Sequence, residues 1–286
     1  MSSSRSCVAG VVVAGLACVA GSVADARGDV VEIVASRDGT LYQDSAGSTA
    51  NGAGQFLFVG RVLSGFNANR RALLRFDLSA VPSGATITDV SLRMTMSRST
   101  SGATDVSLHR VVQNWGEGTS AATGGEGGGT AAAAGDATWI HTFSPGSTWT
   151  NAGGDFDATA MTSVSVDGTG VYTWPSSAAF VAAASAWAAD ASNNFGVLLL
   201  GDETVDGTSK RFNSRENVGA TTRPTLVVTY SVCRADFNGD GFLDFTDFDD
   251  FVTAFEAGSA NADFNGDGFL DFTDFDAFVG AFEGGC

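Results

Sequence analysis

Asp236-Phe237-Asn238-Gly239-Asp240-Gly241-Phe242-Leu243-Asp244-Phe245-Thr246-Asp247 returns 27 residues later, unchanged, as Asp263-Phe264-Asn265-Gly266-Asp267-Gly268-Phe269-Leu270-Asp271-Phe272-Thr273-Asp274. Each copy sets oxygen-bearing side chains at positions 1, 3, 5, 9 and 12 and a glycine at 6. Ca²⁺ takes about six to eight oxygens at roughly 2.3–2.6 Å. A twelve-residue loop with this spacing turns them inward, and the glycine allows the sharp bend. The expected ligands are Asp236, Asn238, Asp240, Asp244 and Asp247 with the carbonyl of Phe242, and Asp263, Asn265, Asp267, Asp271 and Asp274 with the carbonyl of Phe269. Two Ca²⁺ ions are expected in this tail.

Phe248, Phe251, Val252 and Phe255 follow the first loop at helical spacing, and Phe275, Phe278, Val279 and Phe282 repeat the pattern. The tail is therefore two loop–helix repeats without incoming helices. It resembles a type I dockerin over roughly residues 233–286, including the Asp at loop position 12 and the Gly-Cys ending. The resemblance implies an extracellular module that docks on a cohesin-like or cell-surface receptor. The positions that usually carry Ser-Thr recognition pairs hold Phe248-Asp249 and Phe275-Asp276.

Charge and cysteines extend this reading. The 286-residue chain has a net charge of −17, and from Cys233 onward thirteen acidic residues face one basic residue, Arg234, so a nucleic-acid partner is not expected. Arg5, the apolar run 8–20 and Val23-Ala24-Asp25-Ala26 read as a secretory signal over 1–26. Its removal would take away Cys7 and Cys18. No other apolar stretch is long enough for a membrane span. Cys233 and Cys286 then bracket the tail of a secreted chain, which suggests a disulfide clasp; a sorting or attachment role for Cys286 is the alternative.

Residues 27–231 alternate short apolar runs with turns. Val30–Val34, Phe56–Val59, Ala72–Phe76, Val90–Met96, Val106–Val111, Gly196–Leu200 and Thr225–Tyr230 read as strands, and 177–191 as the one helix. This predicts an all-β sandwich followed by a small α-helical calcium-binding module at 232–286. The Gly/Ala/Thr-rich stretch 119–136 is expected as a surface loop. Asn69-Arg70-Arg71-Ala72-Leu73-Leu74-Arg75-Phe76-Asp77, Asn114-Trp115-Gly116-Glu117-Gly118, Phe212-Asn213-Ser214-Arg215-Glu216-Asn217 and Arg223-Pro224-Thr225 resemble the DNRLRE-domain family, which is similar to carbohydrate-binding module family 96. That resemblance implies a jelly-roll-like sandwich in a polysaccharide-associated protein.

Sugar binding needs flat aromatic faces, and arginine where the sugar carries a carboxylate. Trp115, Trp139, Trp149 and Trp174 are candidate platforms, with core packing as the alternative for each, since a tryptophan in a sandwich is more often core, and Arg71 and Arg211, with Arg75 and Arg215, are candidate clamps. Arg75 and Arg215 could equally pair with Asp77 and Glu216. Asp38, Asp155 and Asp157 admit one further calcium ion in the sandwich. Neither His109 nor His141 lies in a metal-ligand pair, and there is no Gly-x-Ser-x-Gly elbow. Carboxylates among Glu117, Glu126, Glu203 and Glu216 leave a polysaccharide lyase or glycoside hydrolase open, since only their spatial separation decides. A structural surface protein without glycan affinity is the other alternative.

Overall fold

The computed structural model describes residues 28–285. The expected signal segment and Cys286 lie outside the described residues.

Among the described residues the chain forms thirteen strands: β1 Asp29–Val34, β2 Arg37–Tyr42, β3 Thr49–Ala50, β4 Phe56–Arg61, β5 Asn69–Arg75, β6 Thr86–Ser99, β7 Thr104–Arg110, β8 Thr130–Ala131, β9 Thr162–Val166, β10 Gly170–Trp174, β11 Val197–Leu200, β12 Lys210–Asn213 and β13 Thr225–Ser231. Eleven of them make one antiparallel sheet in the path β1-β13-β6-β12-β4-β5-β11-β7-β9, with β10 on β6 and β2 on β5. β6 is long enough to pair β13 along its first half and β12 at its end, with β10 on its other side.

The sheet is curled, and β4 carries it round the corner. Phe56–Val59 pair with β12, whereas Gly60 and Arg61 pair with β5. Gly60 has φ +98°, and a Cβ there would lie 3.0 Å from the Thr208 carbonyl oxygen, so the corner needs glycine. The two halves face each other across one core. Leu57, Val59, Leu74, Val90, Leu92, Met94, Val106, Leu108, Val197, Leu199, Phe212, Leu226 and Val228 all bury into it.

Helix α1, Ala178–Ala189, closes one end of that core. Ser177 caps it by accepting the Phe180 N–H at 3.1 Å. Phe180, Ala183, Ala184 and Trp187 recur at i, i+3, i+4, i+7 and are the buried face. A second cluster lies on the outer side of the β2/β5/β11 half, where Leu41, Leu73 and Leu198 pack under Val111, Trp115, Trp139 and Trp149 from the overlying loops. Both faces of β11 are thus covered, which is why it reads as an unbroken apolar run rather than an alternation.

β2 was not among the expected strands, because Asp38-Gly39 looks like a turn. In the structure Asp38 to Tyr42 are all buried. β9, β10 and β12 were also outside the expected set. The expected loop 119–136 is tied down rather than loose. Its Glu126 accepts from Asn51 Nδ2 at 2.9 Å and the Phe56 N–H at 3.0 Å, and β8 within it pairs with β3.

The tail adds α2, Phe245–Glu256, and α3, Phe272–Gly284. Asp244 and Asp271 are their N-caps, each in a capping box with Asp247 or Asp274. The phenylalanines at helical spacing, from Phe248 to Phe255 and from Phe275 to Phe282, turn inward, while Phe245 and Phe272 at the helix starts are largely exposed. The inward rings pack on each other, with Phe251 stacked on Phe278 at 3.9 Å between ring centroids. The tail touches the sheet region at the Gly84 turn: a Cβ on Gly84 would come within 2.7 Å of the Gly241 Cα and 3.3 Å of Asp236 Oδ2. No helix among the described residues is long and apolar enough to cross a membrane.

Candidate functional site

The four candidate tryptophan platforms are buried. Trp115, Trp139 and Trp149 belong to the loop-covered cluster and Trp174 to the main core. Three of them donate Nε1–H to backbone: Trp115 to Phe195 O at 2.8 Å, Trp149 to Thr138 O at 2.9 Å, and Trp174 to Val106 O at 2.8 Å. A ring committed on its edge and covered on its faces offers nothing to a sugar, so these residues build the fold instead.

Arg71 is also committed. It forms a bidentate pair with Glu203 (2.7 and 2.8 Å), donates to Gly153 O at 2.8 Å and lies over Trp139. Arg75 reaches Ala191 O at 3.5 Å and makes no ion pair with Asp77, which instead caps the turn at Ser79. Arg215 does pair with Glu216 at 2.8 Å, and with Glu117 as well. Both histidines are tied into local structure. His109 bridges Ser107 Oγ and the Asp157 carbonyl, and His141 lies 3.1 Å from Thr138 Oγ1.

Arg211 differs from these. It projects from the outward side of β12, because Phe212 beside it points into the core. Its cross-strand partner on β6 is Arg98, which is exposed. Like charges placed directly opposite repel, and among the described residues neither guanidinium has a carboxylate within ion-pair distance. Arg211 rests on the Phe56 ring at 3.8 Å and donates to Ser97 Oγ at 3.0 Å. Partial burial, reinforced by the Arg98 charge, lowers its pKa.

The two arginines line a groove of about 420 Å³ with Phe58, Leu63, Thr100 and Glu126. Leu63 is largely exposed and forms one wall. Glu126 is buried and its carboxylate is spent on Asn51, Gln55 and Phe56 donors. The groove therefore holds two positive charges against one occupied negative one, on a chain that is strongly acidic overall. Arg98 had no signal in the sequence; it becomes conspicuous only once the register sets it opposite Arg211.

In each tail loop the carboxylates turn to backbone N–H groups. Asp236 accepts from Gly239, Asp240 and Gly241, and Asp247 accepts from Asn238 and Asp244 at 3.2 and 2.9 Å. In the second loop Asp263 accepts from Gly266 and Gly268, and Asp274 accepts from Asn265 and Asp271. Backbone donors from Asn265 and Asp271 hold the Asp274 carboxyl below its usual range. Asp247 and Asp274 are buried. In neither loop do three carboxylates bring oxygens within 4.8 Å of one another. Cys233, whose Sγ accepts the Asp236 N–H at 3.3 Å, is the described half of the expected clasp.

Asp38, Asp155 and Asp157 do not converge. Asp155 accepts from Thr150 and Asn151, and Asp157 pairs with Arg110 at 2.8 Å. Asp38 sits elsewhere, beside Glu117 and Glu216.

No curated protein matches this chain. Residues 30–121, which span β1 to β7 and include Arg98 and the strand that supplies Phe56 and Phe58, match the model of carbohydrate-binding module family 96.

Proposed function

We propose that the curled sheet binds an acidic polysaccharide, a polymer of uronic acids, in the groove between Arg98 and Arg211. The observation that carries this reading is the cross-strand arginine pair without a carboxylate partner; Arg98 lies in the region that matches a carbohydrate-binding module, and Arg211 is supplied by the neighbouring strand β12 outside it. Two guanidiniums side by side lose free energy to mutual repulsion unless an anion lies between them, and their planar forks suit a carboxylate. The groove has no free aromatic face for stacking, so charge rather than ring contact would select the glycan. Neutral glucans should bind poorly.

The tail in this reading is a calcium-dependent tether on a secreted protein. The donor set fits a hard cation: all oxygens, carboxylate-rich, with backbone carbonyls at Phe242 and Phe269. Asp236, Asn238, Asp240, Asp244 and Asp247 would hold one ion, and Asp263, Asn265, Asp267, Asp271 and Asp274 the other. Bound Ca²⁺ supplies charge neutralisation. The chain supplies two capped helices whose phenylalanines already pack together. The partner would be a cohesin-like or surface receptor outside the cell, and a Cys233–Cys286 bond would clasp the ends of the tail.

Affinity electrophoresis in gels carrying a polyuronate or a neutral glucan tests the groove. Retardation in the polyuronate alone, abolished in Arg98→Ala/Arg211→Ala, is the expected result. Equal retardation in both gels, or none in either, overturns it. Release of unsaturated oligosaccharides during the run would replace binding with lysis.

A further inference from the structure

Three chain segments far apart in sequence bring carboxylates together beneath the loops. Asp38 comes from β2, Glu117 from the segment after β7, and Glu216 from the turn after β12. One carboxylate oxygen from each lies within 4.8 Å of the other two. Arg215 is the cation that the structure places among them. Its Nε and Nη2 donate to Glu117 at 2.6 and 2.7 Å, Nε also approaches Glu216 Oε1 at 2.8 Å, and its backbone N–H donates to Asp38 Oδ2 at 2.6 Å. The Asp38 N–H donates to Glu117 at 2.8 Å.

These contacts leave the group unbalanced: three carboxylates meet one guanidinium. Asp38 is 1 % exposed, and its Oδ1 has no hydrogen-bond partner; Glu216 Oε2 is likewise buried without one. Burying an unsatisfied carboxylate oxygen is costly, and burying two beside each other is worse because they repel. Burial first, then the neighbouring Glu216, pushes the Asp38 carboxyl well above its usual range, and burial also raises Glu216.

We propose that Asp38, Glu117 and Glu216 form a divalent-cation site of the calcium class, independent of the tail loops, with Asp38 Oδ1 and Glu216 Oε2 as its open ligand atoms. An ion of charge two balances the three carboxylates and Arg215. The donors are all hard oxygens with no imidazole or thiolate, which suits calcium rather than zinc. The Glu117 and Glu216 side chains retain 15 % and 20 % exposure, enough for water to complete the shell. Such an ion would tie β2 to the segment that follows Trp115 and to the turn after β12. The rival solution is one proton shared between Asp38 and Glu216.

Tryptophan makes the two kinds of site separable. All five tryptophans fall within residues 115–187, and residues 232–286 contain neither tryptophan nor tyrosine. Trp115 is two positions from Glu117, and its carbonyl accepts from Arg37 Nη1 at 3.1 Å. The probe is Tb³⁺, excited through tryptophan, on the full chain carrying Asp236→Ala and Asp263→Ala to disable the tail. Sensitised emission that excess Ca²⁺ displaces is expected, reduced at least about tenfold by Asp38→Asn and by Glu216→Gln. Circular dichroism of each variant, and the melting shift of the parent between Ca²⁺ and chelator, guard against misfolding. Absent emission from a natively folded parent overturns the site. So does emission unchanged in both carboxylate variants, or an Asp38→Asn chain that melts higher with no calcium response, the signature of a shared proton. Polyuronate retardation in the same samples reads the groove separately.

Discussion

Replacing Arg211 by alanine separates a binding role from a structural one. A charge-assisted bond from a guanidinium to a glycan carboxylate contributes about 2 kcal/mol. Its loss should weaken polyuronate binding roughly 30-fold. Stability should barely respond. The variant loses the stacking of Arg211 on Phe56, about 0.5–1 kcal/mol, and the hydrogen bond to Ser97 Oγ, about 0.5 kcal/mol, and gains relief from the opposed Arg98, about 0.2–1 kcal/mol. These largely offset one another, so unfolding free energies should agree to within about 1 kcal/mol. Isothermal titration with oligouronates and urea unfolding would be run on the same preparations. Binding of the parent should also weaken as salt rises, because the attraction is between solvent-accessible charges. A variant that binds like the parent, or one that loses more than about 2 kcal/mol of stability, would refute the assignment.

Three other outcomes follow from the packing and the charges. Phe251→Ala removes the ring stacked on Phe278 and should cost about 3–5 kcal/mol, enough to melt α2 and α3 while the sheet signal in circular dichroism persists. Arg71→Met strands the Glu203 carboxylate, whose side chain is only 17 % exposed; it should cost about 2 kcal/mol in urea unfolding, most of it recovered in Arg71→Met/Glu203→Leu. Asp44 is held at about 2 by the Ser48 hydroxyl, with help from the Ala46 and Ser48 N–H groups, against 3.8 when unperturbed. Because its folded value is depressed, its stabilisation is present above 3.8 and is lost as pH falls through about 2. Solvent screening keeps it below about 1 kcal/mol. Melting curves across that window should be flatter for Asp44→Asn, and a parent whose melting point rises on acidification there would contradict the sign.

Much of the architecture was readable from residue order alone. The apolar runs at Val30, Phe56, Leu73, Val90, Val106, Val197 and Leu226 each fall inside a strand, and the alanine-rich stretch becomes α1. Strand β2 was not readable, since Asp-Gly ordinarily marks a turn, and nothing local announces that the Arg215 N–H meets the Asp38 carboxylate and that the Asp38 N–H meets Glu117 in a buried strand. β9 and β10 were hidden by serine, threonine and glycine. For the tryptophans the sequence left platform and core both open, because burial depends on which loops fold over them and periodicity carries no such information; the structure places all four in cores. Arg98 and the Asp38–Glu117–Glu216 group were invisible for a related reason. Their meaning arises from register and from loops meeting across sequence separations of 79 and 99 positions, which no local window spans.

Identical text does not guarantee identical circumstances. Gly241 in the first acidic loop abuts the Gly84 turn of the sheet, whereas its twin, Gly268, has open space around it. The two repeats therefore cannot behave as interchangeable copies. Whatever stiffens the first one is felt by the sheet, and whatever occupies the second is felt mainly by the tail. Swapping a bulkier residue into Gly84 should unsettle one repeat and spare the other, an asymmetry that symmetry of sequence conceals.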